Sequence, residues 1–120
     1  MTQINGIRQV EVADLDDEAV LLDVREPNEF EAGHAPGAVS IPLGDLRARL
    51  AEVPEGDLTV ICRSGGRSQA AAEFLVRQGV PAVNVSGGTI AWALAEKPLV
   101  AEGDAKPSVV PPTTMPPESV

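Results

Sequence analysis

The apolar residues of this chain fall into short, nearly unbroken runs separated by polar punctuation. Ala19-Val20-Leu21-Leu22-Asp23-Val24, Leu58-Thr59-Val60-Ile61-Cys62 and Ala82-Val83-Asn84-Val85 are the main runs. Continuous apolarity over a strand's length is the pattern of strands covered on both faces. Val39-Ser40-Ile41 supplies a shorter strand that Pro42 stops, and Gly6-Ile7-Arg8 a short edge strand. A different period governs Ser68 to Gln78, where Ala70, Ala71, Phe74 and Leu75 share one helical face and Gly79 occupies the usual position after the last turn. Pro27 to Phe30 reads as one helical turn, with proline first and Glu26, Glu29 and Glu31 around it. Short helices are also predicted for Val10 to Leu15, from Asp45 up to the Pro54-Glu55-Gly56-Asp57 stop, and for Thr89 to Ala95. Apolar strands alternating with helical segments predict a mostly parallel α/β sheet, with Leu58 to Cys62 at its centre.

The length of 120 residues suits one domain with its own core. Only 2% of the residues are aromatic, namely Phe30, Phe74 and Trp92, so aliphatic side chains must build that core. Composition changes at Lys106. Residues 107–120 hold five prolines and show no period, which divides the chain into a domain over 1–105 and a proline-rich tail over 106–120, disordered or extended.

Charge narrows the partners. The net charge is −9, which suggests neither a nucleic-acid footprint nor a basic membrane face. The balance is uneven, however: residues 61–80 carry Arg63, Arg67 and Arg77 against Glu73 alone. A small anion would meet a locally basic patch in an acidic protein. One cysteine cannot form an internal disulfide, and no run approaches the roughly 20 apolar residues of a membrane span. A cytoplasmic location is the default expectation.

The chemistry concentrates in Cys62-Arg63-Ser64-Gly65-Gly66-Arg67-Ser68. Cys62 ends the expected central strand, and ligands of open α/β sheets bind outside the carboxyl ends of strands. A loop curling into a helix start would direct backbone N–H groups at the sulfur, favouring a thiolate and holding an incoming anion. The bland alternative is a lone cysteine acting as a small buried hydrophobe. Two arginines and paired glycines weigh against it, since reactive cysteines occupy electropositive surroundings. Arg67, on the first helical turn, is badly placed for an unpaired cation, and Asp23 at the end of a neighbouring strand is its expected partner. Arg63 either contacts substrate or faces solvent. Gly65 and Gly66 read as backbone necessity in a tight anion-enclosing loop. His34 lacks a second histidine for a His-rich metal site and reads as a turn residue. Trp92 reads as core or pocket wall.

Taken together, these segments resemble the rhodanese family over about residues 6–100. Leu22-Asp23-Val24-Arg25-Glu26-Pro27-Asn28-Glu29-Phe30 with Gly33-His34-Ala35-Pro36-Gly37-Ala38 is similar to its first signature, departing only at Ala35, where a larger aliphatic residue is common. Cys62 to Ser68 resembles its active-site loop, and Val85-Ser86-Gly87-Gly88-Thr89-Ile90-Ala91-Trp92 its closing motif.

The resemblance implies a three-layer fold with a central five-stranded parallel sheet and helices on both faces. It implies a sulfurtransferase moving the sulfane sulfur of thiosulfate to cyanide or a thiol through a Cys62 persulfide. Arg63, Ser64, Gly65, Gly66, Arg67 and Ser68 would bind substrate, with Asp23, Arg25, His34 and Trp92 in support. No metal or organic cofactor is implied. The partners would be a small anionic donor and a small thiol or cyanide acceptor, with a protein thiol as a further acceptor to consider. The rival readings are a noncatalytic binding or regulatory domain, an arsenate reductase, and a cysteine phosphatase of related fold, the last of which needs five residues between cysteine and arginine. Here Cys62 and Arg67 enclose four.

Overall fold

The computed structural model describes residues 2–103 and 106–109. The chain forms β1 (Gln3–Ile4), β2 (Ile7–Glu11), β3 (Leu21–Asp23), α1 (Pro27–Ala32), β4 (Ala38–Ser40), β5 (Leu58–Ile61), α2 (Gly66–Arg77), β6 (Ala82–Ser86) and α3 (Gly88–Leu94). These build one sheet of order β1-β2-β6-β5-β3-β4. Strands β2, β6, β5, β3 and β4 are mutually parallel, as expected for the five-stranded core of a three-layer α/β fold. The sheet as a whole is mixed, because β1 adds an antiparallel edge strand that the sequence reading omitted. Its cause is local: Asn5 and Gly6 both have positive φ, 51° and 79°, and form the two-residue turn that reverses the chain between Ile4 and Ile7.

Alternation along the strands sends side chains to two separate cores. Leu22 and Val24 of the β3 segment join Leu58, Val60 and Cys62 with Ala71, Ala72 and Leu75 of α2 on one face. Leu21, Ile61 and Val85 point the other way and pack around the fully buried Trp92 of α3. Both faces are thus covered, which is why these strands read as apolar runs rather than as alternating ones.

Three local expectations need correction. Residues 10–15 begin as strand, since Val10 and Glu11 pair with Val85 and Ser86, and only Val12–Asp14 forms a 3-10 turn. No α-helix follows Asp45. Two 3-10 turns, Leu43–Asp45 and Leu50–Glu52, replace it, because the chain is tied to β3 by the Leu43 N–H bond to Val24 O (3.0 Å) and buries little beyond Leu46. A segment this short does not repay helix nucleation. In α2 the inward face is Ser68, Ala71, Ala72 and Leu75, and Ala70 lies on the exposed side.

Helix α2 itself ends as its sequence predicts. Gly79, at φ 86°, donates to Val76 O, and Val80 donates to Leu75 O, which together satisfy the last carbonyls. Beyond Leu94 the chain returns along α1. Val100 exchanges two backbone bonds with His34, and the Ser108 N–H donates to Ala32 O at 2.8 Å. The tail expected from 106 onward therefore touches the domain at its first residues, and 110–120 lie outside the described residues.

Candidate active site

The site is built where β5 ends. Cys62 follows the last strand residue, and its carbonyl accepts both the Thr89 N–H (2.8 Å) and the Thr89 hydroxyl (3.1 Å) from α3. The Arg63 carbonyl accepts the Ile90 N–H at 3.0 Å. These bonds clamp the loop onto the start of α3, and they need Gly88: its φ is 58°, and a Cβ there would collide with the carbonyl oxygens of Cys62 and Arg63. The Gly87-Gly88 pair of the closing motif thus serves the cysteine loop through the backbone.

Held this way, the loop turns back over the sulfur. Gly65 has φ 113° and donates its N–H to Cys62 Sγ at 3.1 Å. The Ser68 hydroxyl lies 3.3 Å from the same atom. Gly66 opens α2, and a Cβ on it would meet nothing within 4 Å. The conformational need for glycine therefore falls on Gly65 and not on Gly66. Cys62 is only 1% exposed. Burial pushes its pKa up, but the Ser68 hydroxyl and the N–H groups of Ser68, Gly65 and Ser64 outweigh this, and the thiol lies below its ordinary value of 9.0. Cys62 thus joins the aliphatic cluster on one side and meets polar donors on the other.

The expected pairing of Asp23 with Arg67 does not occur. Asp23 is taken by its near neighbour Arg25, whose Nη2 lies 2.8 Å from one carboxylate oxygen and also donates to Gly33 O. Arg25 and Asp23 are both fully buried, and the pair ties β3 to the turn before His34. Arg67 reaches instead to Glu29 of α1 through two parallel bonds of 2.7 and 2.9 Å. Burial raises the Glu29 pKa, yet Arg67, the Glu26 backbone N–H and Arg25 more than offset it, so the carboxyl sits below 4.5. In the sequence Glu29 stands out only as one of three acids near a helix start. Its spacing from Glu26 produces a capping box, each side chain accepting the other's backbone N–H.

Ser64 is exposed and Arg63 half-buried. The Arg63 Nε is buried without a hydrogen-bond partner among the described residues. His34 is remote from the thiol: its ring stacks on Phe30 at 3.7 Å, and Nδ1 lies 2.6 Å from Phe30 O. These contacts hold the turn against the end of α1. Trp92 packs in the cluster on the sheet face opposite Cys62, with Nε1 donating to Pro98 O at 2.7 Å. It is core rather than pocket wall.

Sequence reasoning missed Asn84. It is the one polar residue inside the β6 run, 3% exposed, and its side chain meets the Ser68 hydroxyl. A buried amide in an apolar strand is a readable anomaly. Among the described residues no group of three or more acidic, histidine or cysteine side chains could hold a metal ion, and no helix is long and apolar enough to cross a membrane.

Comparison with known proteins matches residues 9–95 to the family described as Rhodanese-like domain. A sulfurtransferase of Allochromatium vinosum is 40% identical over 92 residues, covering 75% of this chain and 85% of the relative. A putative sulfurtransferase of Bacillus subtilis is 38% identical over 98 residues, covering 81% and 86% respectively. Among solved structures, a rhodanese-related protein from Thermoplasma volcanium superposes with a TM-score of 0.73 at 36% identity, covering 79% of this chain and 99% of that one.

Proposed function

The chain belongs to the rhodanese family, and we propose that it is a thiosulfate sulfurtransferase carrying the transferred sulfur as a persulfide on Cys62. The observation that supports this most is the sulfur's surroundings: Gly65 N–H at 3.1 Å and the Ser68 hydroxyl at 3.3 Å, at the end of a central strand. Such donors favour a thiolate and serve equally any negative charge that develops beside it.

In the first half-reaction the Cys62 thiolate attacks the outer sulfur of thiosulfate. A bond forms from Sγ to that sulfur while the S–S bond of thiosulfate breaks, and its electron pair leaves on sulfite. In the second half, cyanide or a thiolate attacks the outer sulfur of the persulfide. The new C–S or S–S bond forms as the Sγ–S bond breaks, and its electron pair returns to Cys62 as thiolate. The loop N–H groups stabilise sulfur anions in both halves. In this reading Arg63, Ser64, Gly65, Gly66 and Ser68 form the substrate cradle, with Arg63 supplying charge to the departing sulfite. Arg67, engaged by Glu29, fixes the loop's far end and adds a partly balanced positive field. Asp23, Arg25, His34 and Trp92 support the frame. A cytoplasmic location and a protein thiol as alternative acceptor belong to the same proposal. The four-residue span between Cys62 and Arg67 favours sulfur over the larger cradle a phosphoryl group needs.

Intact-mass measurement tests this. Thiosulfate alone should add about 32 Da, mapped to the Cys62 peptide, and cyanide should remove it as thiocyanate. A Cys62→Ser protein that formed thiocyanate at the wild-type rate would defeat the assignment. Phosphomonoester hydrolysis without any persulfide would favour the phosphatase.

A further inference from the structure

The Ser68 hydroxyl has one proton and two claimants. A serine hydroxyl donates once and accepts twice. Its oxygen lies 3.3 Å from Cys62 Sγ and 2.5 Å from Asn84 Oδ1. Which group receives the proton depends on which way the Asn84 amide faces, and its neighbours fix that.

The Asn84 NH2 group donates to Gly65 O at 3.2 Å, and a backbone carbonyl can only accept. Its oxygen therefore faces Ser68. The same NH2 group donates to Gln9 Oε1 at 2.8 Å. Gln9 is fixed in turn, because its NH2 donates to Ile7 O (3.0 Å) and to Gln69 Oε1 (2.7 Å). Gln69 is fixed likewise: its NH2 donates to Ile4 O and to the Glu73 carboxylate, both at 2.8 Å. Three amides on three elements thus share one polarity, each oriented by a backbone carbonyl, and the side-chain-to-side-chain donations run from Ser68 through Asn84, Gln9 and Gln69 to the Glu73 carboxylate. The Ser68 proton belongs to this chain as its first link.

We infer that Asn84 is a positioning residue for the thiol: through this ordered amide chain it draws the Ser68 proton away from Cys62, so the hydroxyl serves the sulfur only by giving up its bond to Asn84. Ser68 then acts as a rotor with two states. Beside a neutral thiol it donates to Asn84 and offers a lone pair to the S–H. Beside a thiolate it must turn, leaving Asn84 Oδ1 facing an oxygen without a shared proton, which is costly in a buried site. The N–H groups of Ser64, Gly65 and Ser68 have no such conflict. The charged groups nearest Cys62 are Arg63 of its own loop, Arg67 of α2 with Glu29 of α1, and the Asp23–Arg25 pair at the end of β3. Glu73, at the far end of the amide chain, is half-buried.

The inference rests on Cys62 being the reacting thiol of the proposed function, but its test reads ionisation and needs no sulfur donor. The chain has one cysteine and no tyrosine, so thiolate ultraviolet absorbance against pH reports Cys62 alone. Asn84→Leu should lower the titration midpoint, raising the thiolate-to-thiol ratio at a fixed pH by about tenfold, the scale of one redirected hydrogen bond to a charged atom. Ser68→Ala should raise the midpoint, and adding Asn84→Leu to Ser68→Ala should change nothing further. An unchanged or raised midpoint in Asn84→Leu overturns the inference. So does a shift that survives in the Ser68→Ala background, since that would show Asn84 acting on the loop rather than on the proton. If Asn84→Leu does not fold, Gln9→Leu, one link further out, should lower the midpoint by a smaller factor that also vanishes with Ser68→Ala, and the same two outcomes would refute it. A protein that titrates as expected yet takes no sulfur would sink the proposed function alone.

Discussion

Replacing Glu29 with glutamine removes one charge and almost no volume, which isolates the ion pair from the packing around it. Glu29 is fully buried, and the Arg67 side chain is 26% exposed. Two bonds between ionised partners, at 2.7 and 2.9 Å, become at best one bond from the guanidinium to a neutral amide oxygen, while the introduced glutamine can still complete the capping box with Glu26. A hydrogen bond to a charged group contributes about 1.5–3 kcal/mol, and one of the two is lost, so the net loss should be about 2 kcal/mol. This stays below the ~3–5 kcal/mol for breaking a fully buried pair, because Arg67 retains contact with water. For a chain of this size the melting temperature should drop by about 8 °C at pH 7. The pH dependence supplies the sharper check. The Glu29 pKa is depressed in the folded protein, so its stabilisation is complete above the unfolded value of 4.5 and is lost as pH falls through the lower folded value. The gap between wild type and Glu29→Gln, followed by circular dichroism melts, should therefore stay constant above pH 4.5 and close below it. A gap that persists unchanged in acid, or no gap at pH 7, would refute the ion-pair argument.

Gly88→Ala should destabilise the protein by more than about 3 kcal/mol, from combined positive-φ strain and overlap with the loop carbonyls. Denaturant unfolding measures it, and a loss below about 1 kcal/mol would mean that the loop relaxes freely. Gly33→Ala should weaken the docking of Ser108, whose backbone a Cβ would strike, costing about 1 kcal/mol in the full chain. The same substitution in a chain ending at Ala105 should cost almost nothing, and equal losses in both backgrounds would place the clash elsewhere. The Cys62 thiol should titrate below 9.0 in the folded protein and return toward that value in denaturant, as read by thiolate absorbance. Because the folded pKa is the lower one, Cys62 ionisation should add stability as pH rises from the folded midpoint to 9.0. Cys62→Ala should lack that rise, and a matching rise in the variant would assign it to another group.

What the sequence determined by itself was local or periodic. Apolar runs specified β3, β5 and β6, because strands covered on both faces leave few alternatives to Val, Leu and Ile, whereas the more polar β2 was legible only over Gly6 to Arg8. The Ser68 to Gln78 period and Gly79 specified α2 and its end. The position of Cys62 between a strand and a Gly-containing loop placed the thiol at a strand's carboxyl end. The Asn5-Gly6 turn was equally legible and went unused.

Other features required the tertiary structure. The helix read from Asp45 failed because its few apolar residues are anchored to β3 rather than to each other, and docking overrode a weak local preference. Arg67 could have met either of two acids. Asp23 was lost to Arg25 two positions away on its own segment, and only the assembled sheet brings Glu29 of α1 within reach of Arg67 across 38 residues. The Asn84 chain is the extreme case. Its members come from β2, α2 and β6, and their shared polarity follows from which backbone carbonyls the assembled sheet and helix turn toward each amide. Hydrophobic patterning chooses the elements, since burial depends on each residue's own chemistry. Directed bonds depend on relative orientation, which exists only once the elements have met.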